Sequence, residues 1–291
     1  MSTTRVPWWA VGAAALGSSL LTITALLGYQ ERVRQRRRRA LKKEAARHAP
    51  DAPLPHVPTP PHAPVRKDMY DESLVREQLS RNYAFLGEEG MDAIRNSFVI
   101  VVGAGGVGSW AALMLLRSGV GRLRLIDFDQ VSLSSLNRHA CATLADVGRP
   151  KVVCCQQFFE RIAPWAHVEA YVDLFRDSEA DRLLAGAPTY VIDAIDNLDT
   201  KVDLIKYCAR HDIKVFSSMG AGAKADPSCI QISDISTTVE DPLARVVRRE
   251  LRVAGIPPIP PPGSEDPKAL KAPLEAILAS TYTIPCVYST E

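Results

Sequence analysis

Residues 98–129, FVIVVGAGGVGSWAALMLLRSGVGRLRLIDFD, constrain this chain more than any other stretch. Phe98 to Val102 are apolar and mostly β-branched, too short a run for a helix and suited to a buried strand. Gly103, Gly105 and Gly108 follow in G-x-G-x-x-G spacing, with a further glycine at Gly106. An apolar helix is expected from about Val107 to Leu116, ending at Ser118-Gly119. A second strand, Leu123 to Ile126, then runs into Asp127. The glycine spacing alone is weak; its place between a strand and a helix, with an acid after the next strand, makes it informative. Glycines there allow a tight turn and close backbone approach, and the first N–H groups of the helix are free to meet phosphate oxygens. Asp127 stands where a carboxylate bonds ribose hydroxyls. The expectation is a nucleotide site, against the plainer alternative of a turn that only packs a helix on a sheet.

The residues that follow decide which nucleotide. The chain continues DFDQVSLSSLNRHA, then Gly148-Arg149-Pro150-Lys151-Val152, then VIDAIDN at Val191 to Asn197. These motifs, four in order with the glycine turn, resemble the adenylating enzymes that activate ubiquitin and the bacterial sulfur carriers. Within them the chain looks like the tRNA threonylcarbamoyladenosine dehydratases, in their fungal, membrane-anchored form, over about Leu74 to Glu291. The resemblance implies an α/β, Rossmann-like fold: a mostly parallel sheet with helices on both faces. It implies ATP and Mg²⁺ as cofactors and tRNA as partner. The activity implied is ATP-dependent cyclisation of threonylcarbamoyladenosine next to the anticodon, through adenylation of its carboxylate. It assigns the ribose to Asp127 with Asp129 as an accessory, and the nucleotide and its phosphates to Gly103, Gly105, Gly106, Gly108, Asn137, Arg138 and Lys151. Asp196, beside Asn197, is assigned to the metal and the α-phosphate. The family pattern has Asn where this chain has Ser135, a departure at a polar contact to the nucleotide. In the family an arginine from the leading helical segment reaches the neighbouring subunit's triphosphate, so a homodimer is implied, with Arg76 and Arg81 as the candidates.

Elementary chemistry supports several of these assignments. Adenylation displaces pyrophosphate, and cations such as Arg138 and Lys151 neutralise the charge that develops. Pro150 suits the first turn of a helix that would run to about Ile162 and carry Lys151 near its start. Asp193 and Asp196 end a strand, Tyr190 to Ile192, where carboxylates of a parallel sheet face the ligand crevice; Asp193 has a structural alternative. His139 reads as packing or surface. Further strands are expected at His167 to Val172, Ile213 to Ser217 and Cys229 to Ile235, and helices at Ser73 to Ile94, Ser178 to Leu184 and Asp199 to Arg210. The first of these helices should be interrupted near Gly87-Glu88-Glu89-Gly90. The glycine-rich loop Ser218 to Pro227 stands at the crevice end, and the resemblance implies that this region borders the acceptor site, where Lys224 could meet nucleic acid. Asp241 then caps a helix with Pro242 in its first turn. Arg245, Arg248, Arg249 and Arg252 fall on one face of that helix as a positive stripe suited to RNA phosphates.

The net charge of +2 says nothing about nucleic acid; the local stripe does. None of the six cysteines forms a C-x-x-C pair, so a structural zinc site is not expected and the thiols read as reduced. Cys286 matches no need of the dehydratase chemistry, and a buried strand cysteine is preferred to a thioester nucleophile.

Residues 6–30 carry no charge over 25 positions and are followed by a run of arginines and lysines. This reads as a transmembrane anchor with everything after it facing the cytosol. Residues 31–68 are a basic and proline-rich linker, with seven prolines between Pro50 and Pro64. Residues 74–291 form the ATP-dependent domain, and the resemblance implies that the family continues beyond Glu291. A second proline spacer runs from Pro257 to Pro262. The anchor and the resemblance point to the mitochondrial outer membrane, with the endoplasmic reticulum as the alternative. Two functional alternatives are adenylation of a ubiquitin-like or sulfur-carrier protein and an inactive membrane-tethered scaffold. An NAD-dependent dehydrogenase is disfavoured because no hydride-site constellation follows the glycine turn.

Overall fold

A computed structural model describes residues 71–220, 224–256 and 284–290. The expected anchor at 6–30, the linker at 31–68 and the spacer at 257–262 lie outside them. Among the described residues no helix is long and apolar enough to cross a membrane.

The chain opens with α1 (Glu72–Gln78) and α2 (Ser80–Arg95), followed by β1 (Phe98–Val102), α3 (Gly106–Arg117) and β2 (Arg122–Ile126). Next come α4 (Lys151–Glu160), β3 (His167–Tyr171), α5 (Ala180–Leu183), β4 (Tyr190–Asp193), α6 (Leu198–Arg210) and β5 (Val215–Ser218). The last elements are β6 (Ile230–Asp234), α7 (Pro242–Val253) and β7 (Pro285–Ser289). The strands form one sheet in the order β3-β2-β1-β4-β5-β7-β6. Every neighbouring pair is parallel except β6 with β7. This is the expected Rossmann-like sheet with an antiparallel edge, a common way to finish a parallel sheet.

All five residues of β1 are buried because both faces of the sheet are covered. Val99 and Val101 join Leu123, Leu125, Leu113, Leu116, Val152 and Phe159 on the side of α3 and α4. Phe98, Ile100 and Val102 join Leu183, Leu204, Ile205, Val247 and Leu251 on the side of α5, α6 and α7. The period of two along a strand sends alternate residues to two different cores.

The leading helix is two helices. Asp71 caps α1, the chain breaks at Leu79, and Gly87 (φ 72°) kinks α2 where the interruption was expected. The expected helix from Ser178 to Leu184 begins as a 3₁₀ turn at Asp177–Glu179, and only four residues are α-helical. That segment has too few residues to propagate a helix after nucleation.

Candidate active site

Strand order reverses between β1 and β4, and the crevice at their C-terminal ends is where ligands bind open α/β sheets. A cleft of about 500 Å³ opens there. Its floor is the glycine turn, Gly103, Gly105 and Gly106, and its walls carry Asp127, Asp129, Arg138, Lys151, Asp196 and Asn197. Nine of the residues singled out from the sequence are therefore brought together from five separate segments.

The turn is shaped by close approach. Gly103 has φ +94°, and a β-carbon on it would lie 2.6 Å from Ala194 O. A β-carbon on Gly106 would press on the Arg138 stem at 3.0 Å. Gly105 caps α3 without a side-chain bond, so the first N–H groups of a twelve-residue helix face the cleft with no side chain in the way.

Asp127 is held rigidly: Oδ2 accepts the Ala104 N–H and Oδ1 the Asp129 N–H, both at 2.7 Å. Burial pushes its carboxyl up, opposed by those two donors and by Lys151. Lys151 Nζ lies 2.6 Å from Asp129 Oδ2, on a lysine side chain only 10% exposed. Arg138 is exposed, with Nη1 donating to Ser134 O at 2.7 Å and its own carbonyl accepting from Trp110 Nε1 at 3.0 Å. It forms no ion pair among the described residues. Its guanidinium is thus aimed by neutral groups and keeps its charge for a ligand. An apolar side is supplied by Val102, Phe128, Leu174, Phe175 and Ile195. A pocket with one apolar wall, a glycine floor and cations opposite carboxylates suits a nucleoside triphosphate.

A model of the ThiF family matches residues 79–268, about two thirds of the chain. This chain belongs to the ThiF family. The tRNA threonylcarbamoyladenosine dehydratase 2 of Saccharomyces cerevisiae is 50% identical over 208 residues, covering 69% of this chain and 46% of that one. The tRNA threonylcarbamoyladenosine dehydratase of Bacillus subtilis is 44% identical over 179 residues, covering 62% of this chain and 70% of that one. The solved structure of the Escherichia coli tRNA N6-threonylcarbamoyladenosine dehydratase, TcdA, in complex with ATP is similar at a TM-score of 0.63 and 32% identity. It covers 76% of this chain and 84% of that one. The chain spans about half the length of the yeast relatives it matches.

Other expected residues of this ThiF-family domain stand elsewhere. Gly108 is buried behind the turn, where a β-carbon would meet Gly103 O at 1.7 Å; its role is packing. Asn137 does not line the cleft, and its Oδ1 accepts from Arg138 Nη1 at 3.2 Å. Asn197 lines it, but its side chain caps α6 through Thr200 N at 3.1 Å. Ser135 is turned inward, bonding Ser132 at 2.8 Å. Arg76 and Arg81 are exposed and outside the cleft, Arg76 paired with Glu88.

Two expectations are corrected. Lys224 does not project outward: its side chain is 10% exposed, and Nζ bonds Ser289 O at 2.5 Å and faces the fully buried Asp241 at 3.3 Å. A buried carboxylate needs a cation beside it, and Lys224 supplies it. Arg248 is not part of an exposed stripe: Nη1 donates to Ile235 O at 2.9 Å and to Thr238 O at 2.8 Å. It borders the buried side of α7, set by Ala244, Val247 and Leu251, so only Arg245, Arg249 and Arg252 face outward.

Cys286 is fully buried and burial raises its thiol pKa, so it is the strand cysteine expected and no exposed nucleophile. Sequence reasoning missed Phe128, Asp173, Leu174, Phe175 and Thr200, which line the cleft from loops and a helix turn without a motif.

His139 is packing with a specific job. Its Nδ1 accepts the N–H groups of Cys141 at 3.2 Å and Ala142 at 3.0 Å, so this nitrogen carries no proton. Burial, helped by Lys151 nearby, holds its pKa below the ordinary 6.5. The unfolded chain therefore takes up the proton first as pH falls. The contribution of His139 to stability is complete above about pH 6.5 and is lost as pH drops through that value toward the folded pKa. Urea unfolding between about pH 7 and pH 5 should show this loss, and His139→Gln should flatten it. An unchanged slope in the variant would show that His139 does not titrate with folding.

Proposed function

We propose that this chain is an ATP-dependent tRNA threonylcarbamoyladenosine dehydratase. The observation that carries the reading is one cleft in which a glycine cradle, two cations and a row of strand-end carboxylates converge. The yeast and Bacillus subtilis relatives named above bear that name, and the TcdA structure was solved with ATP. A carboxylate is a poor electrophile, so it needs activation. Its oxygen attacks the α-phosphorus of ATP and pyrophosphate leaves. A nitrogen of the same substrate then attacks the activated carbonyl, the ring closes, and AMP carries off the oxygen. The net change is loss of water, with ATP cleaved to AMP and pyrophosphate.

Within this reading Asp127 takes the ribose, the N–H groups at the start of α3 take phosphate oxygens, and Arg138 and Lys151 neutralise the leaving pyrophosphate. Lys151 is preplaced for this by Asp129. Asp196 would hold Mg²⁺, which would withdraw charge from the phosphates. Among the described residues no three His, Cys, Asp or Glu groups converge as a metal site. Mg²⁺ is typically bound through one or two carboxylates together with substrate phosphates. Mg-ATP should raise the unfolding temperature and NAD should not. Asp196→Asn and Lys151→Ala should each lower tRNA-dependent pyrophosphate release about 10²-fold or more, as loss of one electrostatic stabiliser does. A thermal shift with NAD and none with Mg-ATP would sink the adenylation reading.

The proposed working form is a homodimer. Val107, Trp110 and Met114 form an apolar stripe on α3, each about half exposed, beside the cleft. Arg76 or Arg81, both outside their own cleft, would reach the triphosphate of the second copy. Sedimentation of the full chain in detergent should give the dimer mass; a monomer with full activity would exclude a role across the interface.

For tRNA, the proposed contact is the outward part of the basic helix. Arg245, Arg249 and Arg252 surround a shallow depression with Ser236, Val246 and the half-buried Arg248. Guanidinium groups bind phosphates bidentately. Changing the three outward arginines to Glu should weaken tRNA binding and flatten its salt dependence while leaving ATP binding near the parent value. Equal tRNA binding across a salt series would make this face solvated only.

The remaining part of the reading concerns place. Residues 6–30 are proposed to anchor the protein in the mitochondrial outer membrane, because an uncharged run followed by arginines leaves the rest of the chain on the cytosolic side. Protease added to intact mitochondria should then digest the domain, whereas full protection without detergent would refute that orientation.

A further inference from the structure

Helix α6 carries a lysine on its buried side. Lys201, Leu204, Ile205 and Cys208 recur at i, i+3, i+4 and i+7, and all four are fully buried. Lys201 Nζ lies 2.6 Å from Asp193 Oδ2, and both side chains are 0% exposed. Nζ also donates to Ser218 O at 2.9 Å, and the Ser217 hydroxyl donates to the same Asp193 oxygen. The other oxygen, Oδ1, accepts the Ile195 N–H at 3.1 Å. Ser218 Oγ completes the set by donating to the Asp193 carbonyl at 3.1 Å. The ends of β4 and β5 and the first turn of α6 are thus tied to one carboxylate immediately before residues 194–197.

Stability does not account for this arrangement, because removing two charges from water offsets much of their attraction, and an apolar pair of similar volume is often as good. Position does account for it. The N–H that Asp193 holds belongs to the segment that brings Asp196 and Asn197 into the cleft. The same segment abuts the glycine turn, since β-carbons on Gly103 and Gly108 would lie 2.6 Å from Ala194 O and 3.1 Å from Ala194 Cβ.

We propose that Lys201 is a positioning residue of the nucleotide site: through Asp193 it fixes residues 194–197 against the glycine turn and so sets where Asp196 meets the metal and the phosphate. This rests on the reading of Asp196 given above. Two measurements on the full chain in detergent test it. One is hydrogen exchange at Ile195 to Asn197 without nucleotide. The other is pyrophosphate release as a function of Mg²⁺.

In folded Lys201→Met, exchange at Ile195 rises, and the Mg²⁺ concentration for half-maximal rate rises about 10–100-fold, the usual effect of losing a group that orients a ligand. Exchange in β1 and the KM for tRNA stay at the parent values. A packing role alone would lower the unfolding midpoint and leave the Mg²⁺ dependence of the folded enzyme in place. That result overturns the proposal, as does parental exchange at 195–197. If Lys201→Met does not fold, Ser217→Ala carries the test, because it removes only the hydroxyl at Oδ2. The same two shifts at smaller size support the proposal, and parental values refute it. Exchange needs no substrate, so a parent protein that releases no pyrophosphate sinks the functional reading and leaves exchange to decide the role of Lys201.

Discussion

Helix α3 lies so close to the turn that leaves β1 that no side chain fits between them. At Gly108 even a methyl group would stand 1.7 Å from the Gly103 carbonyl. The rest of the site depends on this contact. It brings the positive end of α3 onto the crevice, and it leaves the turn itself bare so that a ligand can approach the backbone. On its other side the turn meets Ala194, at the end of the neighbouring strand, with the same lack of space. Three segments distant in sequence therefore have one mutual arrangement, and the side chains that project from them share it.

Charge is distributed around that contact in two ways. The cations that face the cleft are held by partners that leave them usable: Arg138 by a carbonyl and an amide, Lys151 by an acid at the cleft wall. The cations behind it are consumed by structure. Lys201 is closed on Asp193, Lys224 on Asp241, and Arg124, itself 4% exposed, on Glu169 and two carbonyls. A buried charge costs several kcal/mol unless it is paired and hydrogen-bonded. The pairs therefore fix the geometry of the segments they join more than they add to stability.

The helix α7 shows how a pattern read along the chain meets the fold. Its four arginines share a helical stripe, yet Arg248 lies at the border of the stripe that packs on the sheet, and its guanidinium turns in to the carbonyls of Ile235 and Thr238. The cap at Asp241 was legible because Asp-Pro marks a helix start, and the side chain does accept the Ala244 N–H at 2.8 Å. That Asp241 is buried, and so draws Lys224 inward, was not legible, because burial belongs to the packing of β7 and α7 and not to either segment alone.

By itself the sequence determined the strands and helices of the sheet, the glycine turn, and most of the cleft's charged residues: Asp127, Asp129, Arg138, Lys151 and Asp196. The glycine turn, the helix start at Lys151 and the strand ends at Asp127 and Asp196 were legible in local chemistry, whereas the roles of Arg138, Asp129 and Asp196 came from the family resemblance. It also carried an unread signal at Lys201, a charge set in an apolar helical stripe. Tertiary structure alone decided that Gly108 and Asn137 stay out of the cleft, that Phe128, Leu174 and Phe175 enter it, and that His139 braces a loop. The reason is physical. Local pattern fixes which element a residue joins, but the direction of its side chain depends on which neighbours leave room, and those neighbours come from remote parts of the chain.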